Sequence, residues 1–481
     1  MVVVKKAMQR SGALVRLRCS RNAPSLIVVI GWVMAVIASA PASAVELARV
    51  EGFGPVSRAM AGAGVAHPVG AAAMLLNPAE LLRLESSREL MFQFTRIYAT
   101  IDVINSTTGE KVSNASLGNN RGPYDLPEIA FAMRQGRWAF GTGVFAAGGF
   151  GVEYGAESFL SRTTTGNVET GLPVSSRIAQ MRIPFAFAWQ ADEQWSVGAS
   201  VDIVSASINL ASLLDAQQLG MLIQSGRATG SLVPVLGSIP DLAGAHLNFV
   251  KSDFVNSELS AWGVAGRLAV SYALTADTQL ALAYELRTAL SDLKGSGELT
   301  AIDINNNQAV LSGSGRLPLL QFPEAWVMGI SHRFSPAVAV VADLRRTLWA
   351  RSFGNTDIRF DADGGGDLSV SLPTGFRHLT TLALGLEWQL RQDWTGRLGG
   401  AHVFQQMVPN ESLNGALPTI TREHVTAALA WRPAPAHEFG LSVSYGFTDA
   451  VRNPGGNVNS VPAIEARNRQ INPALSYQYR L

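Results

Sequence analysis

One cysteine, Cys19, is all the thiol this 481-residue chain holds. It lies in an N-terminal stretch expected to be cut away, so the mature chain is expected to have no disulfide, no thiolate nucleophile and no thiolate-bound metal. Charge is also sparse. Asp, Glu, Lys and Arg make up 16% of the residues, against roughly 25% in average soluble domains. The net charge of +1 excludes the one-signed surface that nucleic acid or an acidic partner would need. Beyond the N-terminus no run of 18 apolar residues occurs, which excludes a membrane-crossing helix there. No Gly-x-Ser-x-Gly elbow and no His-x-x-x-His pair are present, and the seven histidines are scattered. The chain is therefore expected to be no enzyme, to bind no metal and to need no cofactor.

What the chain does have is alternation. Leu280, Leu282, Tyr284 and Leu286 interleave with Gln279, Ala281, Ala283 and Glu285. Leu382, Leu384, Leu386, Trp388 and Leu390 interleave with Thr381, Ala383, Gly385, Glu387 and Gln389. A period of two gives a strand one greasy and one wet face. The last eleven residues, Ile471 to Leu481, repeat the pattern up to the terminus. Such segments are expected at 89–104, 126–135, 138–153, 176–190, 195–210, 258–274, 279–293, 318–334, 337–352, 375–391, 393–406, 419–432, 437–449 and 467–481. The connections alternate between very short, as at Ser335-Pro336, and long, as at 211–257. Short turns on one side and long loops on the other belong to transmembrane barrels; a soluble sandwich or propeller has no reason to alternate in this way. The expected fold is all-β: a transmembrane antiparallel β-barrel of about 14 strands over residues 89–481. Trp189, Trp195, Trp388, Trp394 and Trp431 sit beside short turns, where an interfacial aromatic belt should lie.

Two N-terminal segments differ. Lys5, Lys6, Arg10, Arg16, Arg18 and Arg21 precede an apolar run from Leu26 to Ile37, followed by Pro41-Ala-Ser-Ala44. This is the layout of a secretory signal peptide, expected over residues 1–44. Residues 45–88 are rich in Ala and Gly and lack alternation. Short helical turns joined by glycines are expected, packed inside the barrel because the piece is too small to stand alone.

Ser57-Arg-Ala-Met-Ala-Gly-Ala-Gly64 followed by Leu76-Asn77-Pro78-Ala79 resembles the plug segment of the FadL family of outer-membrane transporters. Phe140-Gly-Thr-Gly-Val144 with Gly149-Phe-Gly-Val-Glu-Tyr154 resembles that family's third strand. Phe322-Pro-Glu324 with Gly329 to Phe334, and the stretch Ala401 to Pro418, fit later parts of it. The resemblance implies a small N-terminal hatch inside the lumen, a hydrophobic site among the outer loops, and sideways release through a gap beside a kinked third strand. It implies a plug role for Asn77, Pro78 and Ala79. It also places a lateral gate at Gly148, Gly149, Phe150 and Gly151, although the proline often found at the kink is missing.

Alternation puts Arg182, Arg267, Arg287, Arg345 and Arg397 on the lumen face, with Asp202, Glu285, Asp343 and Glu387. Arg182 and Arg267 have no acid two residues away on that face, so they are the expected holders of a ligand carboxylate. The apolar loop at 211–257 suggests a groove for incoming ligand at Leu213, Leu214, Leu222 and Ile223. The expected partners are a hydrophobic small molecule, outer-membrane lipid and lipopolysaccharide, with no nucleic acid. The expected protein is a monomer in the outer membrane of a Gram-negative cell. Long-chain fatty acids are the first expected cargo; aromatic hydrocarbons or alkanes come second. A non-specific polar porin is the alternative outside that class, with a lipase behind it.

Overall fold

A computed structural model describes residues 51–114, 124–250, 258–318, 320–416, 418 and 422–481. The expected leader and residues 45–50 of the expected plug lie outside the described residues. Among the described residues no helix is long and apolar enough to cross a membrane.

The wall can be followed by its pairing. Arg88–Asn105 pairs with Tyr124–Gln135. The circuit continues through Trp138–Tyr154, Val174–Gln190, Trp195–Asp215, Leu259–Ala273 and Thr278–Glu285. It runs on through Ala325–Ser335, Val338–Thr347, Leu379–Arg391, Trp394–Val403, Glu423–Ala434 and His437–Asn453 to Ile464–Arg480. Every neighbour is antiparallel. The last strand then pairs with the first, from Glu89 opposite Arg480 to Asn105 opposite Ile464. Arg88 and Leu481 exchange backbone hydrogen bonds of 3.1 and 2.8 Å at the seam. A closed antiparallel barrel is the one sheet that pairs its backbone without an edge in lipid.

The whole sheet holds 22 strands among the described residues, more than the about 14 expected from sequence, and fourteen of them make the circuit just followed. The surplus comes from the long connections, which fold into strands of their own. Leu293–Asp303 pairs with Gln308–Leu317 and with Leu242–Phe249; Asn355–Ala362 pairs with Asp367–Pro373. The strand expected over 279–293 also stops at Glu285, so Arg287 is exposed and does not face the lumen as alternation suggested.

Outside, the barrel is greasy. Leu475 is 62% exposed, Phe185 55% and Leu441 54%, as expected of side chains that face acyl chains. Trp138 stacks on Trp189, Trp394 on Trp431, and Trp195 on Tyr272, all beside short turns. Trp262 and Trp326 are exposed near the opposite ends of their strands. They belong to a second belt, whereas Trp349 is buried among the outer connections. Inside, one apolar cluster surrounds residues 53–84 and a larger one fills the space toward the long connections.

Lipid-facing positions should reject charge. Leu475→Arg, at the most exposed apolar position of the last strand, is expected to destabilise the barrel by about 2–4 kcal/mol. Denaturant unfolding from bilayers, with Ser476→Arg as the lumen-side comparison, measures this.

Candidate functional site

The segment from Glu51 to Leu84 contains a helix at Gly54–Ala59 and two 3-10 turns at Gly70–Leu75 and Pro78–Arg83. Pro55 and Pro78 stand at first-turn positions, where the missing N–H costs nothing. So short and glycine-rich a segment leaves many backbone groups unpaired, and buried ones must find partners. They find them on all sides of the wall. Gly54 N–H donates to Glu128 at 2.7 Å, Ala71 N–H to Glu89 at 2.8 Å, and Gly64 and Val65 N–H to one oxygen of Asp343 at 2.8 and 2.9 Å. His67 Nδ1 lies 3.0 Å from Ser331 Oγ. These partners sit on strands from opposite sides of the circuit, which places the segment in the lumen.

Asn77 is fully buried and uses its whole amide. Its Nδ2 donates to Val65 O at 2.7 Å and to Ser271 Oγ at 2.8 Å, while its Oδ1 accepts from Ala79 N–H at 3.0 Å. Ser271 in turn donates to Glu80. Asn77 thus caps the turn Pro78–Arg83 and pins it to the wall. The wall makes room for it: a Cβ at Gly198 would collide with the Ala79 nitrogen, and one at Gly399 with the backbone of Met60.

On the opposite side Arg58 is bound at 2.5 Å by Glu128 and at 3.1 Å by Glu51. Burial pushes the Glu51 carboxyl up, but Arg58 and a bond from Asn472 outweigh this and hold it below the usual carboxylate range. Phe53 meets Phe145 edge-on at 6.1 Å.

Glu128 and Phe145 are themselves opposite each other, and they are the last pair between Tyr124–Gln135 and Trp138–Tyr154. Beyond them Tyr124–Pro127 stays paired to the first strand, and the outer part of Trp138–Tyr154 stays paired only to Val174–Gln190. A bulge sits between Ala146 and Gly148, with Ala147 as the extra residue. The expected gate residues Gly148, Gly149 and Gly151 follow it; the side chain of Phe150 lies outside the described residues. The register thus slips at a bulge followed by two glycines. The proline that the third strand lacks has a counterpart next door: Pro127, with no N–H to offer, stands where the ladder ends.

The arginines singled out for a carboxylate lie deep in the lumen but are ion-paired. Arg182 contacts Asp202 at 3.3 Å and Glu285 at 3.0 Å; Arg267 and Arg345 reach Glu285 at 3.1 and 3.3 Å. Spacing along one strand missed these acids because they lie across the sheet, Glu285 directly opposite Arg267. The residues of the expected ligand groove divide. Leu213 and Leu214, at the end of a strand and not in a loop, line a small open cleft of about 70 Å³ with Phe159, Val174, Leu372 and Val458. Leu222 points into the core from the helix Ala216–Gln224, and Ile223 faces out.

Sequence reasoning placed Asp343 on the lumen face but gave it no partner, and it missed Arg58, Glu128 and Ser271. The signal available was an inward-facing acid on an otherwise apolar wall strand, as at Glu128 and Asp343, since such groups persist only with partners.

Asn77→Ala removes two buried donors and a cap, and is expected to loosen the lumen segment by about 1–3 kcal/mol. Amide exchange over residues 65–83 should speed up while the wall strands stay protected; unchanged exchange there would refute the anchoring role.

No curated protein matches the sequence. Among solved structures, the toluene transporter TodX of Pseudomonas putida superposes with a TM-score of 0.79 at 28% identity, over 90% of this chain and 99% of that one. The toluene transporter TbuX of Ralstonia pickettii gives 0.76 at 34% identity, over 90% and 99%. A Pseudomonas aeruginosa FadL homologue gives 0.66 at 17%, over 91% and 99%, a likeness of fold alone. The family profile of outer membrane protein transport proteins (OMPP1/FadL/TodX) matches residues 33–475. With its closed barrel, the chain belongs to this family of outer membrane channels for hydrophobic compounds.

Proposed function

We propose that the chain takes up monoaromatic hydrocarbons of the toluene class by passive diffusion. Cargo is gathered in the cleft lined by Leu213 and Leu214, passes the lumen segment as this segment shifts, and leaves sideways beside Ala146–Tyr154. On this reading residues 1–44 are removed on export, residues 45–88 act as the hatch, and the protein works as a monomer in lipid and lipopolysaccharide.

The observation that carries the reading is the state of the lumen arginines. A fatty-acid carboxylate at this place in the bore would have to share or displace the carboxylates that its arginines already hold. Arg182 and Arg267, the residues expected to supply it, are engaged by Asp202 and Glu285. The outer interior is apolar instead, with Trp349, Phe353 and Phe376 packed on one another at 5.4 and 6.4 Å. The likeness to two toluene transporters at 28% and 34% identity supports the same cargo. Sideways release follows from solvation: entering lipid recovers roughly 25 cal/mol for each Å² of apolar surface that water would have covered.

Binding of labelled toluene and of labelled oleate to the detergent-purified chain tests this. Saturable toluene binding is expected, with Arg182→Ala changing its affinity by less than about twofold, since RT ln 2 is only about 0.4 kcal/mol. Saturable oleate binding that is lost in Arg182→Ala, without toluene binding, would overturn the cargo assignment in favour of fatty acids.

A further inference from the structure

The unpaired stretch of wall is not an empty slot. A Cβ built on Gly151 would lie 2.5 Å from the Tyr124 hydroxyl and 3.0 Å from its ring carbon. Tyr124 is the first residue of Tyr124–Gln135, on the far side of the missing ladder. Gly151 lies six residues past the bulge strand's last pair with that neighbour, at Phe145. One side chain therefore crosses from one lip of the opening to the other and rests on the only residue type that leaves it room. Tyr124 also packs on the apolar cluster around the lumen segment, together with Ala146 beside the bulge. A ring in this place is held by side-chain packing and not by a backbone ladder. Rotamer changes are far cheaper than breaking strand pairs.

We propose that Tyr124 is the door of the side opening, whose ring, swinging off Gly151, sets the largest cargo that can leave the lumen. This rests on the sideways route proposed above. It makes Tyr124 a specificity-determining residue: its substitution changes which molecules pass, and not merely how stable the barrel is. Gly151 is the doorstop, since any side chain there would hold the ring away from the lip.

The test is uptake of labelled toluene and of labelled biphenyl, a bulkier aromatic, by cells whose only channel of this kind is the full chain. The ratio of biphenyl to toluene uptake cancels differences in the amount of folded barrel. Tyr124→Ala should raise this ratio by at least about threefold, equivalent to roughly 0.7 kcal/mol of barrier. Tyr124→Trp should lower it by a similar factor, and Tyr124→Phe should leave it near the unmodified value. Should Tyr124→Ala fail to reach the membrane as a folded barrel, the Tyr124→Trp ratio decides alone. An unchanged ratio in the folded variants overturns the door while leaving the cargo assignment intact. Uptake of neither compound by the unmodified chain overturns the proposed function, and the door with it.

Discussion

A backbone that crosses lipid has no water to satisfy its amides, so each N–H and C=O must pair with another strand. The rest of this structure depends on that demand. It forces the last strand to return to the first, joining Arg88 to Leu481, and it makes any interruption of pairing conspicuous. Among the described residues the ladder between Tyr124–Gln135 and Trp138–Tyr154 breaks off at Glu128 and Phe145. A break in such a place survives only where something else covers the exposed groups. Here the devices are a bulge at Ala147, a proline at 127 that has no N–H to leave unpaired, and a tyrosine laid across the lips.

The lumen segment is tied to this same place. Phe53 packs on Phe145, while Gly54 N–H and Arg58 bind Glu128. Both members of the last wall pair are thus held by one short helix. Removing Arg58 would strand Glu128 with a buried charge, at a cost of about 3–5 kcal/mol for a typical buried pair. Any displacement of this helix would therefore be felt first at the last rung of that ladder. The far side of the segment is pinned by Asn77 to Ser271 and by Asp343 to Gly64 and Val65.

Much of this was legible in the sequence, and for a physical reason. Alternation is imposed on every residue of a strand that has lipid on one side and a wet lumen on the other, so runs such as Leu382 to Leu390 announce themselves. Asn77-Pro78 stood out only through its resemblance to a plug motif; that Asn77 caps the turn Pro78–Arg83 is a feature of the structure. The outer hairpins were not legible. Gln308–Leu317 is exposed on both faces over most of its length, so no period marks it. The ion pairs of Arg182 and Arg267 were hidden because their acids lie across the sheet, and Gly64 is 279 residues from Asp343. Closure brings such groups together, and a linear pattern carries no trace of it.

The central claim is that cargo leaves through the unpaired stretch of wall, and sealing that stretch tests it most directly. Were the ladder to run on past Glu128 and Phe145, Leu126 and Ala147 would stand opposite each other. A chain carrying Leu126→Cys and Ala147→Cys, with the crosslink formed in the membrane, should lose toluene flux when oxidised and regain it on reduction. Equal flux through the oxidised and reduced forms, with the crosslink verified by mass, would show that cargo leaves by another path.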